Sequence, residues 1–266
     1  MTFREATAVR STGEDTWDTQ FAENWDILGN TNGGYMLSIA SRAASEATGG
    51  RNPVTITGHF TRPGHTGPAT ARTELVRSGR RFSVVRTSLS QDGAVVLDTI
   101  GTFVEPGSGS PEILLSDAKP SELPPPEECF LAVPAADSPF PPPSVGQIEL
   151  RLDPRMAEFF NGKPMGEPVV LGWMRLKDDE PLDAHALVMA SDAFPPTTFN
   201  AGLPVGWTPT LELTVHIRFP DASGWIRCEF RSRFVSGGFI EEDGLFWDED
   251  DRLVAQSRQL ALVSNG

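Results

Sequence analysis

Asp192, Thr210 and Gln259 in the C-terminal half are polar side chains able to take part in acid–base or hydrogen-bonding chemistry, although the residues alone do not single them out as a set. Asp192 lies within Met-Ala-Ser-Asp-Ala-Phe-Pro-Pro at 189–196, after a run from Ala184 to Ala190 that is apolar except for His185. A carboxylate therefore ends a segment suited to burial. Pro195 disfavours helical backbone at Phe194, which predicts a helix over Leu182 to Asp192 with the carboxylate in its last turn. There it meets the negative end of the helix macrodipole, a cost of roughly 0.3–1 kcal/mol at a surface. Partial burial adds a desolvation penalty, and both effects make the carboxylate a stronger base. On the residues alone, a solvated aspartate at a helix end fits at least as well.

Thr210 opens TLELTVHIRFP (210–220), where strict alternation puts Leu211, Leu213, Val215, Ile217 and Phe219 on one face and Thr210, Glu212, Thr214, His216 and Arg218 on the other. A hydroxyl both donates and accepts, so Thr210 could orient a water beside Asp192. An ordinary strand threonine is the plainer reading. Gln259, in RLVAQSRQLALV (252–263), shares a face with Leu253, Ala255 and Ser257 by the same alternation. A long amide on a small or apolar face needs an internal partner, either a water or a backbone group. A bulge would change its phase. The start of the first helix, Asn32-Gly33-Gly34, offers backbone N–H groups and a positive dipole end that could receive a developing oxyanion. A glycine turn required only for packing fits equally.

Arginines form two groups on strands, Arg77, Arg80, Arg81 and Arg86 in one half, Arg227, Arg231 and Arg233 in the other. Guanidinium forks suit phosphates, so these are candidates for docking a phosphorylated carrier, with Arg80 and Arg81 the first choice. Solvated strand arginines are the alternative at each position. His216 sits mid-strand on a polar face and has an equivalent in His59, which reads as a repeated structural histidine. No Gly-x-Ser-x-Gly elbow, His-Glu-x-x-His, Cys-x-x-Cys or Walker-type loop occurs, so serine-hydrolase, zinc and nucleotide-hydrolysis chemistry have no support in motifs.

The elements that must position these groups come in two similar sets. Gly34 to Ala47 reads as an alanine-rich helix stopped by Gly49-Gly50. The segments 54–64, 70–93 and 94–104 follow as β-branched strands, with Gln91-Asp92-Gly93 as a hairpin turn. The second set repeats the order: a helix over 182–192, then strands in 210–220, 224–235 and 252–263, with Glu249-Asp250-Asp251 as the matching turn. His59 and Pro63 have the spacing of His216 and Pro220. A helix apolar nearly all round must be buried. The simplest architecture is α+β, two helix-and-meander units side by side in one continuous antiparallel sheet wrapped around two helices. Between the units, 106–145 holds close to half of the 23 prolines. It reads as an extended surface linker joining units 1–105 and 146–266.

The 266 residues can bury a substantial core. The net charge of -14 disfavours nucleic acid as a partner. No stretch reaches the roughly 20 apolar residues of a membrane helix, and the polar, acidic N-terminus lacks a signal-peptide core, so a cytoplasmic location is expected. Cys129 and Cys228 are expected as two reduced thiols.

The motifs NGGYMLSIA (32–40), HFTRPG (59–64) and SGRRFSVVRTSLSQDG (78–93), followed by ALVMASDAF (186–194), PTLELTVHIRFP (209–220) and DDRLVAQSRQLAL (250–262), together resemble the acyl-CoA thioesterase II family. The resemblance implies a double-hotdog fold and hydrolysis of acyl-CoA or another acyl thioester. It implies that Asp192, Thr210 and Gln259 hold and activate the attacking water, without a covalent nucleophile, metal or cofactor. Hotdog sheets commonly pair, and an exposed sheet edge invites this, so a homo-oligomer is expected. A non-catalytic acyl-binding module and an enoyl-CoA hydratase are the alternatives. The chain departs from the family pattern in its proline-rich linker, which could cover an acyl tunnel, and in an acidic loop at Glu241-Glu242-Asp243.

Overall fold

The computed structural model describes residues 1–107, 113, 115–138, 140–177 and 180–264. Within the linker, 108–112, 114 and 139 thus lie outside the described residues. The elements used below are β1 (Arg10–Gly13), β2 (Thr16–Phe21), α1 (Gly33–Ala47), β3 (Asn52–Phe60), β4 (Gly67–Arg77), β5 (Ser83–Gln91), β6 (Ala94–Val104), β7 (Phe130–Leu131), β8 (Ile148–Leu152), β9 (Val169–Leu176), α2 (Ala184–Ala190), β10 (Thr210–Ile217), β11 (Ile226–Arg231), β12 (Val235–Ser236), β13 (Phe239–Trp247) and β14 (Leu253–Leu262). These fourteen strands join one antiparallel sheet, in the order β1-β2-β4-β5-β6-β3-β10-β14-β13-β11-β9-β8-β7, with β12 on β13, while residues 26–27 with 30–31 and 182–183 with 221–222 form two separate strand pairs.

The repeat is visible in this order. Each half runs outward from a seam strand, β3 in the first and β10 in the second. The two seam strands pair directly, Leu213 opposite Gly58 and Val215 opposite Ile56. Thr57 and Thr214 hydrogen-bond across the seam through their hydroxyls at 2.9 Å. One double-hotdog sheet therefore spans both halves and wraps the two helices.

Both helices are buried, and their sequences explain how closely they approach. α1 turns Ala40, Ala43, Ser38 and Ser41 inward, all essentially inaccessible. Small side chains let the backbones come close, and the two serines reach the other helix. Ser38 donates to the His185 carbonyl at 2.9 Å, and Ser41 Oγ lies 2.9 Å from His185 Nδ1. Burial pushes the His185 pKa down to about 4, so it is a neutral strut. α1 begins at the N-cap Asn32, whose Oδ1 accepts the Tyr35 N–H at 2.8 Å. It ends before Gly49 and Gly50, both at positive φ. α2 is capped by Asp183 and stops at Ala190, two residues short of the expected span at each end.

Some expectations need correction. Glu241-Glu242-Asp243 is not a loop. It lies inside β13, where alternate residues face inward and Glu242 is buried while Glu241 and Asp243 are not. Thr210 is not on the outward face either. β10 carries a bulge: Thr210 pairs with Ala261 and Glu212 with Leu260, leaving Leu211 unpaired on this side. The extra residue flips Thr210 onto the face of Leu213 and Val215. The reading of Gln259 holds, since from Ala255 onward β14 alternates strictly and Gln259 faces inward with Ser257 and Ala261. Part of the proline-rich segment joins the sheet, because β7 pairs with β8 as the last strand. Cys129 and Cys228 are both buried and unbonded to each other. No described helix is long and apolar enough to cross a membrane.

Candidate active site

Asp192 lies just past the C-terminal end of α2, beside the start of α1. Its Oδ2 accepts the Gly34 N–H at 2.8 Å and Asn32 Nδ2 at 3.2 Å, and Asn32 Nδ2 also donates to the Asp192 carbonyl at 2.8 Å. Asn32 therefore caps its own helix with one amide atom and holds the carboxylate with the other. Glycine is required here by space. A Cβ on Gly34 would stand 2.7 Å from the Met189 carbonyl and 2.8 Å from Asp192 Cβ, and one on Gly33 would stand 2.9 Å from Asp192 Oδ2.

This arrangement revises two expectations. The Gly34 amide is engaged by the carboxylate, so the start of α1 cradles Asp192 and does not leave that donor open for an oxyanion. The macrodipole argument is offset as well, because the positive end of α1 also faces Asp192, opposite the negative end of α2. Both Gly33 and Gly34 pull the carboxylate pKa down, and Gln259 does the same. Burial outweighs all three and raises the pKa to about 6. The direction expected from the sequence stands, with desolvation as its cause.

The second carboxylate oxygen faces β14. Gln259 Nε2 donates to Asp192 Oδ1 at 3.2 Å and also to Thr210 Oγ1. Asp192, Gln259 and Thr210 are thus one hydrogen-bonded chain, brought together by a helix end, an inward strand position and a bulge. They share the wall of a cavity of about 250 Å³ with Asn32 and Gly33. Exposed Arg62 and Trp207 line the same cavity where it reaches the surface. A smaller apolar chamber of about 50 Å³ shares Asn32, Asp192 and Phe194 with it, and is closed by Phe140, Pro141 and Pro142 of the linker together with Phe160 and Phe199.

Arg80 and Arg81 are not at the cavity. They are exposed in the turn joining β4 to β5. The neighbouring Gly79 carbonyl accepts from Arg51, which follows α1. The site is at the other end of that helix, about 22 Å away for 15 residues. The other expected arginines have local partners: Arg86 pairs with Glu74, Arg77 covers the Phe82 ring, Arg227 covers Trp173 and Arg231 pairs with Glu229.

Two cavity groups escaped the sequence reading. Arg62 was visible in HFTRPG, but its place at the cavity depends on where β3 ends. Glu242 also lines the cavity, and the only available signal was its inward phase within a β-like run.

The sequence matches the acyl-CoA thioesterase N-terminal domain over residues 21–104 and the acyl-CoA thioesterase C-terminal domain over residues 120–263. It is 26% identical to an uncharacterized protein of Mycobacterium tuberculosis, covering 98% of each chain. Among solved structures, a candidate thioesterase II of Thermobifida fusca YX is similar at 28% identity and a TM-score of 0.86, covering 100% of this chain and 98% of the other. The acyl-CoA thioesterase II TesB2 of Mycobacterium marinum shares the fold at 19% identity and a TM-score of 0.71, covering 98% of both chains. With both domain matches in their expected order, the chain belongs to the acyl-CoA thioesterase family.

Proposed function

We propose that this protein hydrolyses acyl-CoA thioesters by direct attack of a water on the thioester carbonyl. One observation carries the reading: a part-buried carboxylate of raised pKa, hydrogen-bonded to an amide that is itself bonded to a hydroxyl, on the wall of a cavity. Asp192 is the base. With a pKa of about 6 it is mostly ionised at neutral pH, yet far more basic than a solvated aspartate. Gln259 spends its N–H groups on Asp192 and Thr210, which leaves its carbonyl to accept from the water. Thr210 accepts from Gln259, so its own proton is free to be donated.

The water loses a proton to Asp192 as its oxygen bonds to the carbonyl carbon. The tetrahedral intermediate then collapses as its carbon–sulfur bond breaks. The apolar chamber beneath the linker suits a short or compact acyl group, and its phenylalanines would exclude water from the reacting carbon. Arg62 at the surface end of the cavity suits the polar, anionic portion of the thiol carrier, a role the sequence had suggested for Arg80 and Arg81.

The test is hydrolysis of acyl-CoAs of graded chain length, followed by thiol release, for the wild type and Asp192→Asn. The variant is expected to lose about 10²–10⁴-fold in kcat while still binding substrate. Unchanged hydrolysis removes the site assignment. Binding without hydrolysis by the wild type supports an acyl-binding module, and loss of enoyl-CoA absorbance supports a hydratase.

A further inference from the structure

A second carboxylate lines the cavity, and the water-activating chain does not use it. Glu242 is directly opposite Gln259 in the β13–β14 register. Cross-strand partners on one face have Cβ atoms about 5 Å apart. Thr210, Gln259 and Glu242 therefore lie on the inner face of three consecutive strands, β10, β14 and β13. Asp192 approaches this row from the helix side, so the cavity has a carboxyl group near each end of the Gln259 side chain.

The surroundings of Glu242 differ from those of its neighbours. Glu241 accepts from the backbone of Arg233 and Phe234, and Asp243 accepts from Nε and Nη2 of Arg258. Glu242 forms no ion pair among the described residues. Its Oε2 accepts the Thr197 N–H at 2.8 Å, and the Thr197 hydroxyl is 2.6 Å from Ser232 Oγ. A buried carboxylate without a cation is costly and is commonly neutralised by taking up a proton. A position that only held Thr197 would need an acceptor, which glutamine also supplies.

We propose that Glu242 is the acid of this site and delivers a proton to the sulfur of the departing thiol; this rests on the thioesterase reading above. In the step, the carbon–sulfur bond breaks and its electron pair goes to sulfur. Sulfur takes the Glu242 proton, giving the free thiol and the Glu242 carboxylate. Asp192, which took a proton from the water, returns it to Glu242 through solvent. The sum is thioester plus water giving acid plus thiol. Burial raises the Glu242 carboxyl to about 7, with the charges of Asp192 and Glu241 adding to the effect and Thr197 opposing it. That range suits a group protonated in part at neutral pH and paired with a leaving group near 8.5.

The test varies the leaving group. Glu242→Gln keeps the acceptor for Thr197 and removes the proton. With an acyl-CoA, kcat is expected to fall at least tenfold. With an aryl thioester of the same acyl group, whose thiol needs no proton to leave, it is expected to stay within twofold of the wild type. Equal losses on both substrates, or no loss on either, overturn the proposal. The wild type provides a control that does not depend on the variant folding. Its acyl-CoA rate is expected to decline above pH 7, and its aryl thioester rate is not; a decline shared by both substrates overturns the proposal. A wild type that cleaves neither overturns the thioesterase reading, and the acid role with it.

Discussion

Replacing Asp192 by asparagine is expected to make the folded protein more stable as well as less active. The carboxylate is part-buried against the start of α1, and desolvation raises its pKa from 3.8 to about 6. A shift of this size corresponds to about 3 kcal/mol, an upper value because part of the side chain faces the cavity. The folded state holds the Asp192 proton more tightly than the unfolded state does. Its stabilising contribution is therefore complete below about pH 3.8, falls as pH rises toward 6, and is absent above that. Asparagine is neutral throughout and still accepts the Gly34 N–H. The two proteins should melt together near pH 4. Above pH 6 the variant should melt higher, by several degrees at about 2–4 °C per kcal/mol for a chain of this size. Calorimetric or fluorescence melts of both proteins from pH 4 to pH 8 measure the difference. A melting difference that stays constant across this range, or a variant that is less stable at pH 8, would refute the account of a desolvated, proton-seeking carboxylate.

Other perturbations separate the parts of the site. Gly34→Ala forces a methyl group against the Met189 carbonyl and Asp192 Cβ, and should cost about 1–3 kcal/mol of stability, read as a lower denaturation midpoint, together with most of the activity. Thr210→Val keeps the shape of the side chain and removes the hydroxyl; kcat should fall about tenfold, as for the loss of one hydrogen bond in the transition state, with little change in melting. The pair Arg80→Ala and Arg81→Ala should leave KM for acyl-CoA within about twofold, whereas Arg62→Ala should raise it several-fold. Equal effects in steady-state assays would return the carrier's anionic portion to the β4–β5 turn.

The parts of this protein that follow from local rules were legible before any coordinates. Alternation in β3, β6, β10 and β14, the alanine-rich α1 with its glycine stop, and the repeated His-x-x-x-Pro spacing led to two units sharing one sheet. Gln259 could be assigned to the inner face because nothing disturbs β14 beyond Ala255. Thr210 could not, because one unpaired residue decides its side and no local feature of TLELT marks it. Glu241-Glu242-Asp243 read as an acidic loop because charge conceals strand periodicity when the inward residue is itself charged. The environment of Asp192 was read from its own helix, but the decisive partners come from residues 32–34, some 160 positions earlier. The place of the arginine turn was hidden for a related reason: its distance from the cavity is set by the length of α1 and by the direction of β4 and β5, which only the complete topology defines.

The carboxylate belongs to one half of the chain and most of its donors to the other, yet the two halves pair through the β3–β10 seam and through α1 and α2, which take in no residue of the proline-rich connection. Covalent continuity between the halves is therefore separable from assembly of the cradle. A chain severed within the connecting stretch would still present Asp192 to Asn32 and Gly34 for as long as the seam stayed zipped, whereas a proline placed mid-seam would part them in an uncut chain.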